Sequence, residues 1–211
     1  MKDQIDILVE RYPMLSECED SIREAKEILR ETYFNRAKLL VCGNGGSAAD
    51  SEHIVGELMK GFVKRRPLDD DLQNRLISID SERGEKLAKT LQRPLTAISL
   101  CGHVGLSTAF MNDCSSEMVF AQQVLGYAAD GDSFLGISTS GNSANVVYAA
   151  LTAKALGLKV ISLTGAAASR LSDLSDVCVR VPETETFKVQ ELHLPVYHAI
   201  CLALEDDFFD R

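Results

Sequence analysis

Residues 38–58 read KLLVCGNGGSAADSEHIVGEL. A short apolar run gives way to a loop of small residues, and the loop opens a helical pattern that carries His53 and Glu57 four residues apart. A strand that ends in a tight loop and feeds a helix is the repeating unit of a parallel sheet. The same unit recurs along the chain. β-rich runs stand at KLLVCG (38–43), LTAISL (95–100), SFLGIS (133–138), LKVISLTG (158–165) and DVCVRVP (176–182). Each is short, continuously apolar and bounded by turn residues, as strands covered on both faces are. Helical patterns at 47–62, 143–155, 167–175 and about 188–206 fill several of the intervals. The expectation is therefore an α/β fold, a three-layer α/β/α sandwich on a five-stranded parallel sheet with right-handed crossovers. Ahead of it, 3–11 and 16–34 have helical periodicity, with Pro13 between them. Ser16 begins S-E-C-E, the pattern of a capping box with Glu19.

One stretch fits the alternation poorly. Residues 64–93 are strongly charged, with a helical patch around 82–92, and are longer than a usual connection. They read as an insertion, a flap or a partner surface. The chain of 211 residues is otherwise the size of one domain, 1–211, with N-terminal helices over 1–36 and the charged insertion at 64–93.

The totals exclude several function classes. A net charge of −9 argues against nucleic acid and anionic membranes as partners, and no apolar run is long enough to span a bilayer. The single basic cluster, KRRP at 64–67, is followed by Asp69, Asp70 and Asp71 and suits a solvated loop. MKDQIDILVERYPML lacks the apolar core and cleavage site of a signal peptide. Six cysteines, at 18, 42, 101, 114, 178 and 201, occur singly without C-x-x-C, as reduced thiols do. The expected location is cytoplasmic.

In an open parallel sheet, ligands bind beyond the C-terminal ends of the strands, where helix N-termini point. Two loops fall there. CGNGGS (42–47) has glycines that allow a tight turn and a close approach of backbone to ligand. GISTSGNSANV (136–146) brings Ser138, Thr139, Ser140 and Ser143 to one strand-to-helix junction. Free N–H groups and the helix dipole favour an anion there, and the hydroxyls add donors. Such residues also serve as ordinary turn and N-cap residues, but two such loops at equivalent places in one sheet favour a ligand. Neither has the G-K-[ST] or G-x-G-x-x-G pattern of a nucleotide loop, so the phosphate of a small molecule fits better.

His53 and Glu57 share a helix face and can converge on one point, as half of a divalent-metal site or as a solvated pair. The final helical stretch, KVQELHLPVYHAICLALE, holds Gln190, Glu191, His193 and His198. Gln190 and His198 are two turns apart, about 12 Å of rise, so both reach one ion only if it lies between them. Pro195 falls between them and could kink the helix. His193 suits a core or interface position as well as a site.

Taken in order, GNGGSAAD, H-x-x-x-E, FMND, GISTSGNSANV and V-Q-E-x-H-x-x-x-x-H resemble the phosphoheptose isomerases of the sugar isomerase (SIS) domain superfamily. The resemblance runs from about residue 38 to 204. It implies a flavodoxin-like SIS fold, a homotetramer with active sites at subunit interfaces, and one zinc per subunit. It implies substrate contacts at Asn44, Gly45, Gly46, Ser47, Asn112, Asp113 and Gln190, with the phosphate against Ser138, Thr139, Ser140 and Ser143. It implies metal ligation by His53, Glu57, Gln190 and His198, with Glu57 and His198 as the acid/base pair, in roles that could be exchanged. The reaction implied is conversion of sedoheptulose 7-phosphate to D-glycero-D-manno-heptose 7-phosphate, the loop at the phosphate end and the helix behind it at the carbonyl end. Phe187 stands where those enzymes commonly carry Asp, which bears on the sugar more than on the reaction class. Two alternatives stay open: a non-catalytic SIS module that senses a phosphosugar, and a phosphosugar enzyme of another reaction type.

Overall fold

The computed structural model describes residues 2–209. All five expected strands form, each within a few residues of its expected span: β1 (Leu39–Cys42), β2 (Ala97–Ser99), β3 (Ser133–Ile137), β4 (Lys159–Thr164) and β5 (Val177–Arg180). They make one wholly parallel sheet in the order β2-β1-β3-β4-β5. The register places Leu40 beside Phe134 and Phe134 beside Val160, so apolar side chains line up across the three central strands.

Period-two alternation assigns the two faces. Leu39, Val41, Leu135, Ile137, Ile161 and Leu163 face a core built with α1 (Gln4–Arg11), α2 (Glu19–Phe34), α3 (Gly46–Met59) and α10 (Thr186–Phe208). Leu40, Cys42, Phe134 and Val160 face the opposite core, built with α7 (Val119–Tyr127), α8 (Ala144–Ala155) and α9 (Arg170–Leu174). The result is the expected three layers. The strand order reverses direction between β1 and β3, and the loops that leave these two strands, 43–45 and 138–143, flank that crevice. α10 runs unbroken through Pro195.

One local expectation is corrected, and two intervals hold helices that the sequence pattern did not show. Ser16 does not cap α2. With Pro13 at its first position, residues Pro13–Cys18 form a 3-10 turn, and the Ser16 hydroxyl donates to the Pro13 carbonyl three residues back. Residues 64–93 hold two helices, α4 (Asp70–Ile79) and α5 (Ser81–Thr90), the first of them not evident from its charged sequence. Their hairpin is closed at its base by a bridge between Pro67 and Gln92. Two helices fill the interval after β2, α6 (Val104–Asp113) and α7, where no helical pattern was read. All six cysteines are free thiols, as expected. Among the described residues no helix is long and apolar enough to cross a membrane.

Candidate active site

The serine loop follows directly from its place in the sheet. β3 ends at Ile137, and α8 starts at Ala144 with Ser143 as its N-cap. Ser138 is buried, donates its N–H to the Leu163 carbonyl and shares a 3.0 Å hydrogen bond with the Ser143 hydroxyl. Ser140 is exposed, and its hydroxyl accepts from the Asn142 N–H. The N–H groups of Thr139, Ser140, Ser143, Ala144 and Asn145 have no partner among the described residues. Five open donors and four hydroxyls at a helix N-terminus make an anion cradle.

The glycine loop lies beside it. Asn44 and Asn145 exchange two amide hydrogen bonds, Nδ2 to Oδ1 in each direction, at 2.8 and 2.9 Å. This reciprocal clamp ties the two loops across the crevice. Asn145 lay inside the GISTSGNSANV motif without being singled out, because only the fold brings it to Asn44. Ser47 is buried, Asn44 through Gly46 are exposed, and Gln190 reaches this loop from α10: a Cβ placed on Gly46 would sit 2.5 Å from Gln190 Nε2.

A second cluster stands further along α3 and α10. His53 Nε2 lies 3.2 Å from Glu57 Oε1 and 3.4 Å from His198 Nε2. The other nitrogen of His53, Nδ1, is 3.0 Å from the Tyr197 hydroxyl, which donates to Asp50 Oδ1 at 3.2 Å. Asp50, Tyr197 and His53 thus form a chain that fixes the imidazole's orientation. Tyr197 and Asp50 were missed at the sequence level, although Asp50 ends the GNGGSAAD motif and Tyr197 adjoins His198. Phe62 closes the cluster with its ring 5.4 Å from that of His198. Burial lowers the His198 pKa, the His53 ring pushes the same way, and Glu57 opposes both without prevailing. Burial raises the Asp50 pKa against the Tyr197 hydrogen bond and the His53 charge.

The donor spacing suits a metal in part. A tetrahedral ion with bonds of about 2.0–2.1 Å keeps its ligand atoms about 3.3–3.4 Å apart. Both measured separations at His53 are close to that, and the Tyr197 contact to His53 Nδ1 is the kind of outer partner that metal-bound histidines have. Yet no three His, Cys, Asp or Glu side chains among the described residues are closed into a cage. Gln190 is not brought to this trio, since its amide lies at Gly46, seven residues before His53 on α3.

The remaining expected residues stand apart. Asn112 and Asp113 occupy the last turn of α6, exposed and hydrogen-bonded to each other at 2.8 Å. α6 packs against α7 and the Ser116–Met118 turn, and among the described residues neither residue has a hydrogen bond to either loop. Phe187, in the first turn of α10, is exposed beneath the Lys188 ammonium.

Against known proteins, the SIS domain family model matches residues 7–95 and 90–165. The chain is 38% identical over 187 residues to the phosphoheptose isomerase of a Nitratiruptor species, covering 89% of this chain and 86% of that one. It is 33% identical over 192 residues to the phosphoheptose isomerase of Rhodospirillum rubrum, covering 91% and 88%. Among solved structures, the phosphoheptose isomerase from Neisseria gonorrhoeae superposes with a TM-score of 0.73 at 30% identity, over 94% of each chain.

Proposed function

The chain belongs to the phosphoheptose isomerase family of SIS domain proteins, and from that membership we propose that it interconverts sedoheptulose 7-phosphate and an aldoheptose 7-phosphate. The family is one of phosphosugar isomerases. The finer reading rests chiefly on one observation, the meeting of His53, Glu57 and His198 within hydrogen-bonding reach on two helices. A module that only sensed a phosphosugar would need the serine loop but not this cluster.

The chemistry requires one proton to move between carbons and another between oxygens. The Glu57 carboxylate takes the C1 proton of the ketose while His198 gives a proton to O2, which yields the enediol. His198 then accepts the O1 proton as the C1 aldehyde forms, and Glu57 returns its proton to C2. Atoms and charge balance, and both groups end as they began. The Asp50–Tyr197–His53 chain holds the imidazole that orients Glu57. By family likeness His53, Glu57 and His198 are the residues toward which a divalent ion such as zinc would bind, and an ion there would polarise the carbonyl. In the present arrangement they are not closed into a cage, so the proton steps use the protein's own groups alone.

The two clusters also bear on assembly. Gly46, which Gln190 reaches, and His53 are seven residues apart on α3, about 10 Å of helix rise, so the loop contacts and the acid/base cluster stand at two levels of one helix. A site shared between copies would let residues of one copy complete the surroundings of a substrate bound to another. We therefore read the protein as a homo-oligomer, a tetramer by family likeness, in which Gln190, Asn112 and Asp113 gain their roles at the shared site. The six free thiols support a cytoplasmic setting.

The test is incubation of purified protein with sedoheptulose 7-phosphate, with and without zinc and a chelator, following C1 and C2 by NMR. An aldoheptose signal supports the reading, and its response to chelator decides the metal's part. Saturable binding without conversion under every condition would sink the isomerase assignment. Light scattering that shows a monomer at micromolar concentration would sink the shared site.

A further inference from the structure

His193 belongs to neither cluster and is fully buried in α10. Its Nε2 lies 3.3 Å from the carbonyl oxygen of Thr164, at the end of β4. A carbonyl can only accept, so Nε2 carries the hydrogen, and Nδ1 is left as a bare acceptor. Nδ1 is indeed buried with no partner among the described residues. An imidazole kept in an apolar core with one polar atom unsatisfied costs stability, and an aromatic or aliphatic side chain of similar volume would not incur that cost. The ring is therefore explained by what Nε2 does.

The peptide that it holds leads directly to the anion cradle. The Thr164 carbonyl accepts two hydrogen bonds, from the Val181 N–H at 3.0 Å and from His193. On the other edge of the same planar peptide, the Gly165 N–H donates to the Thr139 carbonyl at 3.0 Å. Thr139 lies between Ser138 and Ser140, in the middle of the serine loop. A peptide unit is rigid, so fixing its carbonyl edge fixes where its N–H points. We propose that His193 is a positioning residue for the serine loop, acting through the Thr164–Gly165 peptide to hold Thr139 and its neighbours in the geometry that receives the substrate's phosphate.

The inference rests on the serine loop being the phosphate site, and the experiment separates the two. Steady-state kinetics with sedoheptulose 7-phosphate, and competitive inhibition by inorganic phosphate, would be measured for wild type, His193→Phe and His193→Gln. Gln can place an amide N–H near the position of Nε2, whereas Phe keeps the volume without the donor. In His193→Phe, KM and the phosphate inhibition constant rise together by about tenfold, the scale of one lost hydrogen bond, while kcat stays within about twofold. His193→Gln recovers most of that loss. A residue that only stabilised the core would lower the melting temperature without this selective loss of phosphate affinity, and Gln would not rescue it.

Where His193→Phe does not fold, the wild type alone gives the answer. Adding inorganic phosphate slows hydrogen exchange at the Gly165 amide and shifts the His193 ring nitrogen resonances. Unchanged signals on phosphate saturation overturn the inference, as does equal phosphate affinity in wild type and His193→Phe. A wild type that neither converts the sugar nor binds phosphate removes the phosphate reading and this inference with it.

Discussion

Glu205→Gln is the change that should cost this fold most for the fewest atoms altered. Glu205 and Arg66 are both fully buried, with Arg66 Nε and Nη2 each 2.9 Å from Glu205 Oε1. The same carboxylate accepts from three successive N–H groups, those of Phe62 at 2.8 Å, Val63 at 2.9 Å and Lys64 at 3.1 Å. Burial alone would raise the Glu205 pKa, but the Val63 and Phe62 N–H groups and the Arg66 guanidinium outweigh it, so the group stays ionised. Replacing it with an amide leaves the Arg66 cation buried without a counter-charge and turns an amide donor toward groups that are all donors. Breaking a buried pair from one side costs about 3–5 kcal/mol. For a domain of this size 1 kcal/mol moves the melting temperature by about 2–4 °C, so a fall of about 6–20 °C is expected. Thermal unfolding followed by circular dichroism measures it. The double variant Arg66→Met with Glu205→Gln should be more stable than Glu205→Gln alone, because the amide oxygen still accepts from the backbone N–H groups and no charge is then stranded. A drop below about 3 °C for Glu205→Gln, or a double variant less stable than the single one, would refute the reasoning. Activity should suffer as well. Arg66 also donates to the carbonyls of Leu58 and Glu57 at the end of α3, and the Phe62 ring rests on His198, so the pair braces both proposed proton carriers.

Three further outcomes follow from the same geometry. Glu57→Gln should lower kcat by about 10²–10⁴ with KM little changed, as loss of a general base does, measured by single-turnover NMR. Burial pushes the His193 pKa down to about 4 against the Thr164 hydrogen bond, while an unfolded histidine titrates near 6.5. The unfolded chain therefore binds the extra proton first, so the stability is fully present above about pH 6.5 and is lost as pH falls toward 4, by about 3 kcal/mol at most. Urea midpoints at pH 7 and pH 5 should fall further apart in wild type than in His193→Gln, and equal slopes would contradict the assignment. Gly141 has φ +65°, and a Cβ there would overlap the Ser169 hydroxyl and lie 2.5 Å from Ser169 Cβ. Gly141→Ala should thus destabilise by more than about 1 kcal/mol and weaken phosphate competition, both readable from one melting and inhibition series.

The strands were legible because burial on both faces leaves a continuous apolar run that needs no partner to be recognised. α4 was not, since its helix lies in a solvated hairpin with no buried residue of its own, and its charges hide the period. Ser16 shows the limit of a local motif. Its S-E-C-E spacing is right for a cap, but Pro13 begins a 3-10 turn that holds the serine short of the α2 N-cap, which is Cys18. At the site, residues joined by helix spacing alone, such as His53 and Glu57, were readable from the chain. Residues joined by packing were not. Nothing in the spacing of 44 and 145, or of 50 and 197, announces the amide clamp or the Asp–Tyr contact.

Gln190 carries the most informative difference. By letters it falls in with His53, Glu57 and His198, yet the structure seats it at Gly46 and seats His198 at His53. Both contacts together mean that α3 and α10 run in the same direction, side by side. Seven residues separate Gly46 from His53 and eight separate Gln190 from His198, about 10 and 12 Å of rise. Two parallel helices with matching intervals thus hold the Gly46–Gln190 contact and the His53–Glu57–His198 cluster at two separate levels. On the proposed function, one level would face the substrate's phosphate end and the other its carbonyl end. The symmetry of a homo-oligomer can bring residues of one copy to a substrate bound to another, and one sequence then supplies every part of each site.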